Sequence, residues 1–210
     1  MEKDTYVEIG IKNGKIAEVG IIEKEELKTY GEDFSWLMNH ISHKVDGVEF
    51  SAGALGHGLS FGVGKALSAK IQKLSFRTFV ILSDGEMDEG STWEALMFAA
   101  HHKLDNLIVV VDRNELCIMG KTEELLELGD LRDKWCSFGW YGVDVDGHSF
   151  DELIPAFDLV GKTGGKPLVI IANTVKGKGI SYMEGRSEWH NRMPSDKQIA
   201  QARTELGIEV

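Results

Sequence analysis

The sequence predicts an α/β protein with a doubly wound, mainly parallel sheet and helices on both faces. Short β-branched, apolar runs at residues 76–82, 107–111, 141–145 and 167–174 have the length and composition of strands. Segments between them carry helical periodicity with few breakers, so strand and helix alternate, the pattern of a parallel sheet covered by its own connections. No Pro/Ser/Gly-rich linker or internal repeat divides the 210 residues, which suit one large domain.

Each element has its own justification. Residues 7–19 alternate in polarity around Asn13-Gly14, the strongest short signal for a β-hairpin, and 1–20 is set apart as an atypical segment ahead of a domain at 21–210. Residues 59–74 read as a helix whose Gly62, Gly64, Ala66 and Ala69 allow close approach to neighbours. The run 76–82 is apolar enough for a buried strand. Residues 90–103 carry Trp93, Ala95, Leu96, Met97, Ala99 and Ala100 without a breaker, as a largely buried helix would. Further helices are expected at 131–140, 150–160 and 195–206.

Composition narrows the function classes. A net charge of −11 disfavours nucleic acid, whose phosphates are held by clustered Lys and Arg. No apolar run approaches a membrane span, and Met1-Glu2-Lys3-Asp4-Thr5 has no apolar signal region, so a cytoplasmic location is expected. Cys117 and Cys136 are too few and too far apart for a metal cluster or disulfide framework and read as buried thiols.

The chemistry concentrates at Ser83-Asp84-Gly85-Glu86-Met87-Asp88-Glu89-Gly90 and at Asp112-Arg113-Asn114. Asp84 and Asn114 each follow a strand, at the sheet edge where α/β proteins bind ligands. Mg²⁺ or Ca²⁺ takes hard oxygen donors, and few of them need be carboxylates when a diphosphate supplies the rest. Asp84, the Asn114 amide oxygen and the Leu116 backbone carbonyl form such a set, and an amide avoids a second charge that would repel the diphosphate. Glu86 and Asp88 read as solvated loop carboxylates or helix caps; Glu94, Glu115, Glu123, Glu124 and Glu127 read as exposed charge. The cluster Gly53-Ala54-Leu55-Gly56-His57-Gly58 lets backbone N–H groups approach an anion ahead of a helix. On its own it also fits a tight helix entry, and it departs from the dinucleotide fingerprint.

Asp84-Gly85 with Asn114 thirty positions on resembles the thiamine-diphosphate-binding motif. Glu89-Gly90-Ser91-Thr92-Trp93-Glu94-Ala95 and Ala99-Ala100-His101-His102-Lys103-Leu104-Asp105-Asn106-Leu107 bring it closer to the diphosphate-binding half of the transketolase family. So do Gly47-Val48-Glu49, Val145-Asp146-Gly147-His148, Thr174-Val175-Lys176-Gly177-Lys178-Gly179 and Glu188-Trp189-His190. Together they cover about residue 22 to the C-terminus in the family's order. The resemblance implies the diphosphate-type thiamine-diphosphate-binding fold. It also implies that Gly53, Leu55, Gly56, His57, Asp84, Gly85, Glu86, Asn114 and His190 border the cofactor, with Asp84, Asn114 and Leu116 on the metal.

The same resemblance makes His190 a histidine facing diphosphate and substrate. It gives His40 the substrate channel, with His43 competing, and puts Glu89 in a network at a subunit interface. His101 and His102 are read as structural, one packed and one solvated, and His148 as either a ligand-edge or a turn histidine. The chain has no room for a pyrimidine-binding domain, whose glutamate activates the cofactor, so the resemblance implies one subunit of a split hetero-oligomeric enzyme acting on sugar phosphates. Ser83 stands where the family has Gly, His57 where it often has Gln, and residues 1–20 do not match its usual N-terminal helices and histidines. Three readings stay open: a two-chain enzyme transferring a two-carbon ketol unit, a carboligase or decarboxylating synthase acting on a 2-oxo acid, and a non-catalytic interaction subunit.

Overall fold

A computed structural model describes residues 6–12, 15–22, 29, 32–33, 35, 40, 42–45 and 48–208. Asn13, Gly14 and Gly47 lie outside the described residues. The chain gathers into two compact units, 1–55 and 56–210.

In the first unit, β1 (Tyr6–Lys12) and β2 (Lys15–Ile22) pair antiparallel from Tyr6↔Ile22 to Lys12↔Lys15, with a register shift at Gly10/Ile11. These are the two strands of the expected hairpin.

The second unit opens with helix α1 (Gly58–Ile71), which ends where Lys73 turns to φ 56°, a left-handed residue that stops helix propagation. Strand β3 (Thr78–Ser83), a 3-10 turn (Gly85–Asp88), helix α2 (Gly90–His101) and strand β4 (Leu107–Arg113) follow. Then come a minute hairpin, β5 (Leu116–Cys117) with β6 (Gly120–Lys121), and the short helix α3 (Thr122–Leu125). Helix α4 (Leu131–Ser137), strand β7 (Tyr141–Asp146), helix α5 (Phe150–Phe157) and strand β8 (Leu168–Asn173) complete the sheet. A second 3-10 turn (Ser187–Asn191) and helix α6 (Asp196–Glu205) close the unit. Helix α4 stops short of the expected 140 because Gly139 takes φ 98°.

The four main strands are all parallel, in the order β3-β4-β8-β7. Because strand side chains alternate between faces, Leu107, Val109, Val111, Val169 and Ile171 enter one core with residues of α1, α2 and α4, including Leu59, Leu96 and Trp135. Ile108, Leu168, Ile170 and Ala172 enter a second core beneath Ala156 and Leu153 of α5. Helices therefore cover both faces. Gly62 brings α1 against β3, since a Cβ there would lie 2.4 Å from Val80 Cγ2.

Some expectations fail. Strand β3 is not buried on both faces: Phe79 and Ile81 are 54% and 77% exposed, because β3 is the last strand of its sheet and α5 lies over the strands further in. Phe157 of α5 reaches toward it, its ring 6.3 Å from that of Phe79. Helix α2 buries one stripe, leaving Met97 and Phe98 exposed. His101 and His102 are both exposed, with His102 stacked on Phe98. Cys117 is half-buried and Cys136 is exposed, so neither is a buried thiol.

Candidate functional site

The carboxyl ends of β3 and β4 meet at Asp84. Its side chain is fully buried, accepting the Gly85 N–H on Oδ1 and the Glu115 N–H on Oδ2. The second bond matters for placement, because Glu115 sits between Asn114 and Leu116. Glu115 takes φ 61°, and Asn114 Oδ1 accepts the Leu116 N–H at 3.1 Å, so the chain folds tightly around the end of β4. The Asp84 carboxylate is thus bonded to the turn that carries the other two expected donors, an amide oxygen that keeps a second lone pair and a backbone carbonyl. All are hard ligands of the kind Mg²⁺ and Ca²⁺ take. Among the described residues no three His, Cys, Asp or Glu side chains converge on a metal position.

Burial pushes the Asp84 carboxyl above the usual aspartate value. The N–H groups of Glu115 and Gly85 and the Arg113 guanidinium oppose that shift, and the neighbouring Asp112 adds to it. Arg113, itself buried, places Nη1 3.7 Å from Asp84 Oδ2 and Nη2 2.7 Å from Glu123 Oε1. Glu123 is consequently not the free surface charge expected; it also accepts the N–H groups of Leu128 and Gly129.

The 3-10 turn after Asp84 is tied down from several directions. The Glu86 N–H donates to Ser83 Oγ, Thr92 Oγ1 to the Glu86 carbonyl, and Trp93 Nε1 to the Met87 carbonyl at 2.7 Å. Ser83, which replaces a glycine of the family pattern, thus caps the turn. Glu86 is 8% exposed, which corrects its reading as a solvated carboxylate: Oε1 accepts the Gly56 N–H at 2.8 Å. Asp88 and Glu89 are exposed, and Asp88 has its carboxyl raised by partial burial and by the Glu89 charge. Gly85 packs on β5, where an added Cβ would lie 3.1 Å from Cys117 Cβ.

Gly56, φ 81°, is buried against this turn, while His57, which precedes α1, is exposed. The remaining expected residues are dispersed. Gly53, Leu55 and His40 belong to the unit 1–55, where a Cβ on Gly53 would lie 3.1 Å from His40 Cδ2 and His43 Nδ1 is hydrogen-bonded to Ser51 Oγ. His190 is exposed on the 3-10 turn Ser187–Asn191, which packs against β5 and so lies beside the Leu116 segment. His148 is a turn residue: its N–H donates to Asp146 Oδ1, and its Nε2 accepts the Val175 N–H at 2.8 Å. Sequence reasoning missed Ser91, Thr92 and Arg113, whose partners lie far along the chain or are backbone atoms.

A parallel α/β sheet with a carboxylate and an amide at adjoining strand ends, beside a glycine-led helix, is the class of α/β fold that binds its ligands at the carboxyl ends of its strands. Comparison with known proteins makes this specific: the family described as "Transketolase, thiamine diphosphate binding domain" matches residues 21–210, and the chain belongs to it. It is 44% identical over 191 residues to a subunit of the apulose-4-phosphate transketolase of Phocaeicola vulgatus, covering 91% of this chain and 68% of that protein. It is 38% identical to the 6-deoxy-6-sulfo-D-fructose transketolase subunit SqwG of Clostridium sp., covering 90% and 70%. Transketolase from Campylobacter jejuni superposes with a TM-score of 0.83 at 28% identity, over 89% of this chain and 30% of that one. The chain thus spans about two thirds of the first two relatives and under a third of the third. Among the described residues no helix is long and apolar enough to cross a membrane.

Proposed function

We propose that this chain is the diphosphate-binding subunit of a two-chain transketolase that moves a two-carbon ketol unit between sugar phosphates in the cytoplasm. The observation that carries the reading is the Asp84–Glu115 hydrogen bond, which ties the end of β3 to the Asn114–Leu116 turn. In this reading Asp84, Asn114 and the Leu116 carbonyl hold Mg²⁺, or Ca²⁺, against the diphosphate, and Gly53, Leu55, Gly56, His57 and Gly85 border the cofactor. Thiamine diphosphate supplies the carbanion chemistry. His190 faces the diphosphate and substrate, and His40 the substrate channel. Glu89, exposed at the start of α2, meets the partner chain. Both cysteines are free thiols, in keeping with a reducing compartment.

The partner is a chain with a pyrimidine-binding domain, and the names of the two bacterial relatives, each a transketolase subunit, support that pairing. No observation favours the 2-oxo-acid or the non-catalytic reading. The test is calorimetric titration of thiamine diphosphate with Mg²⁺ into the chain alone and with its partner, followed by turnover. Metal-dependent binding that tightens with the partner, and ketol transfer between ketose and aldose phosphates, is the expected result. Carbon dioxide release from pyruvate would transfer the assignment to a carboligase, and absence of binding in both states would leave only an interaction subunit.

A further inference from the structure

Gly56 has both of its backbone polar groups engaged by one segment. Its N–H donates to Glu86 Oε1 at 2.8 Å, and its carbonyl accepts from Ser91 Oγ at 2.8 Å. Its φ of 81° and its packing leave no room for a side chain, since a Cβ would fall 2.5 Å from Ser91 Oγ and 2.8 Å from Glu89 Cβ. Glu86 and Ser91 flank the entry to α2 and are anchored in turn through Ser83, Thr92 and Trp93.

A buried carboxylate beside a diphosphate is an unfavourable direct ligand, because like charges repel in a poorly solvated site. It is a good acceptor for a backbone N–H, and charge-assisted bonds of that kind are among the stronger ones. The geometry points to a clamp: Glu86 and Ser91 are positioning residues that fix Gly56, and with it the start of α1, relative to Asp84, so that the two sides of the diphosphate site are held in register within this chain. The inference rests on the function proposed above but replaces the expected cofactor contact of Glu86 with an action through Gly56.

The test combines amide hydrogen exchange at Gly56 in the unliganded full chain with calorimetry of thiamine diphosphate and Mg²⁺. Glu86→Ala is expected to speed Gly56 exchange and to weaken binding, each by about tenfold or more, the scale of losing a hydrogen bond to a charged group. Ser91→Ala is expected to act about fivefold on both, as a neutral bond would. Glu86→Gln keeps an oxygen in the same place and should restore most of each loss, which a role in direct charge or metal binding would not allow. Unchanged Gly56 exchange in Glu86→Ala, or a Gln variant as weak as the Ala variant, overturns the clamp. Wild-type affinity in Glu86→Ala alongside lost affinity in Asp84→Ala would also overturn it while leaving the proposed function standing. If the wild-type chain binds no cofactor even with its partner, the function fails, and the exchange data alone decide whether the clamp exists.

Discussion

The Asp84 corner and the turn carrying His190 both pack against β5, yet they are built on opposite principles. Around Asp84 the polar groups are buried, and each has a partner: Gly85, Glu115 and Arg113 on the carboxylate, Gly56 on Glu86, Glu123 on Arg113. Around His190 the side chains of Glu188, His190, Asn191 and Arg192 stand in solvent, and order comes from the half-buried Trp189, packed on Tyr182 with Arg192 over its ring. Under the proposed function the contrast amounts to a division of labour. Holding a small, highly charged ion group demands donors fixed before it arrives, because arranging them afterwards would consume binding energy. A surface that meets substrate and a second polypeptide can be left open until they come.

This division is most exposed to disproof at its buried end. Asp84→Ala should abolish metal-dependent thiamine diphosphate binding, by more than about a hundredfold in calorimetry, since one carboxylate carries the charge of the donor set. Asp84→Asn, which keeps one of the two acceptor oxygens but not the charge, should stay folded by circular dichroism and still fail to bind; retained affinity there would refute the metal assignment. His190→Ala probes the open end. With the partner present, turnover should drop by about tenfold or more, while cofactor affinity stays within about twofold of wild type. An equal loss of both would erase the distinction between the regions.

Smaller effects concern stability. Gly56→Ala places a Cβ in a left-handed residue packed on Ser91 and should cost about 1–2 kcal/mol in urea unfolding. Smallest is the contribution of Glu123, whose carboxyl lies below the ordinary glutamate value mainly because Arg113 hydrogen-bonds to it. A depressed carboxylate stabilises the fold above its unfolded value and loses that contribution as pH falls through its folded one. Unfolding midpoints between about pH 6 and pH 3 should therefore decline less steeply in Glu123→Gln; an unchanged slope would mean that solvent screens the pair.

Much of this architecture was legible because it repeats a local rule. Alternating strands and helices, and an Asp and an Asn each ending a strand, need no knowledge of distant contacts. What escaped prediction depends on such contacts. Gly85-Glu86-Met87-Asp88 looks like a polar surface loop, and only the arrival of Gly56, thirty positions earlier, shows that Glu86 faces inward. Arg113 reads as one more charge until Glu123 folds back onto it. The apolar run of β3 predicts burial on both faces, but strand order decides which strand ends the sheet, and no local pattern encodes that order.

The open margin at β3 has a practical side. A parallel strand at the end of a sheet offers its spare N–H and C=O groups to any passing strand, and bare Phe79 and Ile81 make the encounter adhesive. Among the described residues neither a charge on that face of β3 nor a proline in the strand blunts it. Purified by itself at high concentration, the chain is therefore a candidate for self-association through β3, and its yield in solution will depend on what shares the expression host with it.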